Sequence, residues 1–283
     1  MFIISQDCQV NPDILLDCSS SSSVTPIPWR NSWFEDPKRN FFFCVPPKTS
    51  CTSVNFIFQA IEQNDTKFLE KETYYNLKDT NSIYKKMKRY RPQDSLIPKK
   101  KDYRYALNVR HPFEKIYSAW KDKMNTKKVY HTQGPYIQQA ENARKFETIN
   151  DKYKPEGYAC SFESFLEWIA DSPNRIGFDH YMPITTTCSL CEIDFTDITQ
   201  QESLTDDVLE FFKTVGSDEE AKFLSKVELQ NFYALKKYPT SAKASEVFTE
   251  ISKTRKDLVM QIYQVFYWDF QLLGYTLNGY LSI

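Results

Sequence analysis

Two short stretches bring together side chains that could hold an anion. The first, PPKTSCTS (46–53), sets Lys48 among four hydroxyl residues, Thr49, Ser50, Thr52 and Ser53, with Cys51 between them. The second, NVRHPFEKIYSAW (108–120), places Arg110 eight residues before Ser118. Lysine supplies a point charge, and arginine a planar fork that takes oxygens two at a time. Together the two stretches suit a nucleotide with two separated phosphate-like groups. Taken alone, each also reads as ordinary structure. Ser or Thr before an apolar helix is common capping, and an Arg after a strand can be a solvated corner.

The elements that must position these side chains are legible in the flanking patterns. Phe41 to Val45 is a short apolar run, as in a buried strand. Val54, Ile57, Phe58 and Ile61 then repeat at helical spacing. Around the second stretch, Tyr103, Tyr105, Leu107 and Val109 alternate as on one face of a strand. Pro112 fits the first position of a helix. Phe113, Ile116, Tyr117, Trp120 and Met124 form one helical stripe, with Ser118 off it. Both stretches therefore read as strand, tight loop, helix. A helix start offers unpaired N–H groups and the positive end of a dipole, and open α/β sheets bind ligands beyond the carboxyl ends of their strands.

The 283 residues are 41% hydrophobic and 26% charged, as in a globular chain with a sizeable core. Only 6 are Gly, and no glycine-rich nucleotide loop occurs. The net charge of −1 conceals an uneven distribution. Residues 84–145 hold 17 Lys and Arg against 5 Asp and Glu, densest in 84–104. That field would attract a polyanion. No nucleic-acid-binding motif accompanies it, so nucleic acid is not expected, whereas an acidic polysaccharide is compatible. The 7 cysteines include one C-x-x-C, Cys188 and Cys191, with no second pair at zinc-site spacing, so no metal is expected. Oxidation of Cys188 and Cys191, to each other or to other cysteines, would fit an oxidising lumen. Asn64 opens a glycosylation triplet. The apolar clusters at 2–4 and 14–16 are too short for a membrane span or a signal sequence, so no signal anchor is visible. Residues 1–36, with the Ser run at 19–23, Pro26 and Pro28, and Pro37 directly after them, read as a flexible arm before a domain over 37–283.

These motifs resemble those of the Golgi carbohydrate sulfotransferases, the group containing the chondroitin and dermatan 4-O-sulfotransferases, in a nematode-type branch. That family carries Pro-Lys-x-x-Cys-Thr and Arg-x-Pro-Phe-x-Arg-x-x-Ser-Ala followed by an aromatic residue. The segment 178–195 is similar to its His-Trp element and following Cys-x-x-Cys, 201–204 to its Glu-Thr-Leu, and 262–275 to its carboxyl-terminal helix. The chain departs from the pattern at several points. Pro46 stands where an aliphatic residue is usual, Val54, Asn55 and Phe56 where Trp-Lys-Arg is usual, and Tyr181 where Trp follows the His.

The resemblance implies an α/β fold with a central, mostly parallel sheet flanked by helices, related to P-loop nucleotide kinases. It implies 3′-phosphoadenosine 5′-phosphosulfate (PAPS) as sulfate donor and a chondroitin-like glycan as acceptor, with Golgi residence in the lumen or at the membrane. No protein partner is predicted. Lys48, Thr49, Ser50, Cys51, Thr52 and Ser53 would form the 5′-phosphosulfate loop, and Arg110 with Ser118 would hold the 3′-phosphate. Lys48 would also neutralise the leaving group, and His180 would act as base. His131 is the second choice for that base, and His111 reads as a residue that caps its turn. Glu202 could bind acceptor or cofactor, or begin a helix. A nucleotide kinase would want loop glycines and a metal-binding Asp. Two further alternatives are a sulfotransferase for another acceptor and a glycan-binding pseudoenzyme.

Overall fold

The computed structural model describes residues 32–64, 100–124, 139, 142–145, 160–171, 180–225 and 243–282. In chain order the elements are β1 (Trp33–Asp36), β2 (Phe41–Cys44), α1 (Cys51–Gln63), β3 (Arg104–Val109), α2 (Pro112–Lys123), α3 (Phe162–Asp171) and α4 (Ile184–Cys188). They continue with β4 (Asp197–Gln200), α5 (Leu204–Val215), α6 (Asp218–Ser225), α7 (Ala244–Thr254), α8 (Lys256–Val265) and α9 (Tyr267–Leu273). They fall into two compact units, one of 1–110 with 184–240, the other of 111–183 with 241–283. No helix among the described residues is long and apolar enough to cross a membrane.

The first unit holds the sheet, in the order β1-β2-β3-β4. β1 runs antiparallel to β2, while β2–β3 and β3–β4 are parallel. The sheet is mostly parallel and flanked by helices, as expected. β2 is an unbroken aromatic run because both of its faces are covered. Phe41 and Phe43 meet Phe58 of α1 and Phe211 of α5, whereas Phe42 stacks on Tyr105 with centroids 5.5 Å apart. β3 differs from the one-faced alternation expected of it: Ala106 and Asn108 are as buried as Leu107 and Val109. The physical reason is that both faces of this parallel strand are covered, Ala106 joining the core formed with α1 and α5.

β1 lies within the stretch that reads from sequence as arm, and the 36/37 boundary falls at its end. Its turn is closed by the Asp36 carboxylate, which accepts the N–H groups of Lys38 (3.0 Å) and Arg39 (3.2 Å). The Arg39 guanidinium then joins three carboxylates: Asp36, Glu62 at the end of α1 and Glu220 on α6. Its hydrogen bond holds the Glu220 carboxyl down to about 2. Two cations from the end of the basic stretch are also paired internally. Lys100 meets Glu35 at 2.5 Å, and Arg104 forms a two-pronged bond to Asp197 at 2.9 and 2.7 Å. Residues 84–99 of that stretch lie outside the described residues.

The second unit is helical and aromatic. The stripe Phe113, Ile116, Tyr117, Trp120 and Met124 is buried, as its spacing predicts. Phe113 stacks on Phe248 of α7 at 4.1 Å, and Phe162 of α3 packs against Tyr117, Trp120 and Phe248. Arg255, between α7 and α8, pairs with Glu167 of α3 at 2.7 Å.

Candidate functional site

The loop from β2 to α1 begins at a cross-link. Cys44, the last residue of β2, is disulfide-bonded to Cys188 at the end of α4. Of the C-x-x-C pair, Cys188 thus bonds Cys44 rather than Cys191. Beyond Val45 and two prolines, the backbone of Lys48 (φ 70°) and Ser50 (φ 64°) is left-handed. For residues other than Gly that conformation costs about 1–3 kcal/mol each and persists only where the surroundings over-determine it. Here they do. Thr49 turns both its N–H (3.2 Å) and its hydroxyl (2.7 Å) onto the Pro46 carbonyl. The Asn108 amide of β3 donates to the Thr49 carbonyl. Arg110 Nη1 donates to the Lys48 carbonyl at 3.0 Å. Thr49 therefore shapes the loop, while Lys48, Ser50, Cys51 and Thr52 stand half-buried around it.

A left-handed residue leading into a right-handed helix turns successive N–H groups to one side, and such concavities receive anions. Ser50 and Cys51 form that sequence. The first intrahelical bond is Val54 N–H to the Ser50 carbonyl at 3.0 Å. Helix geometry therefore gives the N–H groups of Thr52 and Ser53 no carbonyl one turn back. Ser50 supplies no side-chain cap, and the first turn holds no acidic residue. The loop takes this shape without a glycine. It lies in one unit with Arg110, so the structure brings the Lys48 loop and Arg110 together. Each stands at the carboxyl end of one of two adjacent parallel strands.

The start of α2 is furnished differently. His111 Nδ1 accepts the Phe113 N–H at 3.2 Å, and Nε2 lies 3.0 Å from the Thr276 carbonyl. This pairing is that of a neutral ring with its proton on Nε2. The ring stacks on Tyr280 at 4.1 Å. Pro112 sits at the first helical position and Glu114 in the first turn. His111 caps its turn, as expected. Ser118 lies half-buried on the same helix, in the second unit.

His180, also in the second unit, is half-buried in a turn. The segment around it is held from two helices. Lys115 of α2, itself fully buried, donates to the carbonyls of Met182 (2.6 Å) and His180 (3.4 Å). Tyr181 is fully buried, edge-on to Phe165 and Trp168 of α3. Glu202 is exposed in the 3-10 turn after β4. His131 lies outside the described residues. Sequence reasoning passed over Asn108 and Thr199, whose side chains meet at 2.7 Å. An Asn inside an otherwise apolar strand was the available signal.

Comparison with known proteins bears on what such a loop could hold. The sulfotransferase family matches residues 31–276. Carbohydrate sulfotransferase 8 of Mus musculus is 22% identical over 262 residues, covering 91% of this chain and 59% of that protein. Carbohydrate sulfotransferase 11 of Danio rerio is 23% identical over 252 residues (88% and 68%), and carbohydrate sulfotransferase 10 of Gallus gallus 25% over 272 residues (86% and 66%). The chain thus spans about three fifths of the length of the first of these relatives. No solved structure matches it.

Proposed function

The chain belongs to the sulfotransferase family, and from that premise we propose that it is a carbohydrate sulfotransferase that uses PAPS to sulfate a glycan hydroxyl. The acceptor we propose is the 4-OH of N-acetylgalactosamine in chondroitin, which places the chain in chondroitin sulfate, hence glycosaminoglycan, biosynthesis. The observation that carries the reading is the uncapped, left-handed entry to α1 beside Lys48 and Arg110. Its donors fit a phosphosulfate: N–H groups converge, no carboxylate stands in the first turn, and two cations flank the loop.

Bound there, PAPS supplies the sulfuryl group. Lys48 neutralises the negative charge that grows on the leaving 5′-phosphate, and the N–H groups of Ser50 to Ser53 hold its oxygens. Fixed donors of this kind act where charge develops in the transition state. By the resemblance of their motifs, Arg110 and Ser118 would bind the 3′-phosphate, and His180 would take the proton from the acceptor hydroxyl. A half-buried imidazole on a rigidly held backbone suits that task. The roles of Ser118 and His180 rest on the resemblance of their motifs. The family relation to P-loop nucleotide kinases is part of the same proposal, as is a single sulfotransferase domain that takes in β1 as well as 37–283. The basic stretch 84–104 is proposed to meet the acidic glycan. Residence in the Golgi is supported by the Cys44–Cys188 bond, since such cross-links persist in oxidising compartments.

Transfer of labelled sulfate from PAPS to desulfated chondroitin tests the proposal. Incorporation resistant to dermatan-selective digestion and mapped to the 4-position is the expected result. No incorporation into any glycan, with the donor left intact, would contradict it.

A further inference from the structure

Asn108 is fully buried in the middle strand pair of the sheet, yet it carries a carboxamide. Its Oδ1 accepts the Thr199 hydroxyl of β4 at 2.7 Å, and its Nδ2 donates to the Thr49 carbonyl of the loop. Thr199 and Thr49 are themselves almost wholly buried. The Thr199 hydroxyl also lies 3.5 Å from the Leu107 carbonyl, and Thr49 closes on Pro46. A polar chain thus runs through an apolar core from β4, across β3, into the loop. Buried polar groups are costly unless paired, so such a chain fixes one arrangement where an apolar residue would tolerate several. The direction is fixed too. With Oδ1 committed to Thr199, the amide nitrogen faces Thr49. A flipped amide would set oxygen against oxygen.

We propose that Asn108, oriented by Thr199, is a positioning residue for the anion loop. By holding the Thr49 carbonyl between two left-handed residues, it sets the direction of the N–H groups from Ser50 to Ser53. The left-handed backbone is then imposed from β3 and β4 rather than chosen by the loop's own residues, none of which is Gly. This inference rests on the sulfotransferase reading only for the identity of the anion. The shaping of the loop stands without it.

The test compares the wild-type chain with Asn108→Leu, Thr199→Val and the double variant. Two readouts are taken: calorimetric binding of 3′,5′-adenosine bisphosphate, and hydrogen exchange of the amides of residues 50–53 in the unliganded protein. Asn108→Leu should bind about tenfold more weakly, as for loss of one buried hydrogen bond, and Thr199→Val less weakly than that. The double variant should bind no more weakly than Asn108→Leu, because both act through one path. Exchange at 50–53 should quicken in each. Should Asn108→Leu fail to fold, Thr199→Val, which keeps the side-chain shape, carries both readouts. Wild-type affinity and wild-type exchange in the variants would overturn the proposal. If the wild-type chain fails to bind the bisphosphate but the variants still exchange faster, the sulfotransferase reading falls and the positioning role stands.

Discussion

The helix that follows β3 begins with a cap of its own, whereas the helix that follows β2 begins with none. At α2, His111 takes the Phe113 N–H, Pro112 removes a donor, and the imidazole is locked by Thr276 and Tyr280. At α1, Ser50 spends its backbone in the left-handed region and its side chain on no cap. Both helices are comparably buried, so packing does not explain the difference. A helix start completed by its own side chain is finished as structure. One that is strained, without a side-chain cap and clamped from neighbouring strands fits the anion site proposed for it.

The largest expected effect falls on the uncapped side. Lys48→Ala should lower sulfuryl transfer by about 10²–10³-fold, as for removal of one charge-stabilising donor, in a steady-state assay with PAPS. A loss confined to KM would assign Lys48 to binding alone. Next comes the cross-link beneath the loop. Replacing Cys44 and Cys188 together by Ser should cost about 2–5 kcal/mol of stability, read by denaturant unfolding. Unchanged stability would remove the disulfide from the account. On the capped side, His111→Ala should cost about 1–3 kcal/mol through the lost cap and ring stacking while donor affinity changes little. A collapse in affinity without loss of stability would erase the contrast between the two helix starts. The smallest effect is a gain. Ser50→Gly relieves a left-handed residue and should stabilise by about 1 kcal/mol; a fall in melting temperature would show that the Ser50 side chain matters where no cap bond is made.

Much of this was legible in the residues themselves. Phe41 to Cys44 form a strand, and the stripe from Phe113 to Met124 is buried, because apolar spacing and burial are two faces of one fact. The meeting of Lys48 and Arg110 follows from two parallel strand ends. What stayed hidden depends on partners far along the chain. The left-handed turns at Lys48 and Ser50 carry no glycine signal, since Asn108 and Arg110 impose them from 59 and 62 residues away. The Cys44–Cys188 bond spans 144 residues, and among seven cysteines spacing alone could not select it. The environment of His111 is completed by Thr276, 165 residues on. β1 begins where Ser and Pro composition suggested only an arm, and its pairing with β2 is a matter of register rather than pattern.

The most direct measurement is amide NMR of the wild-type chain titrated with 3′,5′-adenosine bisphosphate. The account predicts that the N–H signals of Ser50, Cys51, Thr52 and Ser53 move downfield and become protected from exchange, while those of Phe113 and Lys115, already partnered at the capped helix start, hardly change. Unmoved signals at 50–53 under saturating ligand, or larger changes at Phe113 and Lys115, would contradict it.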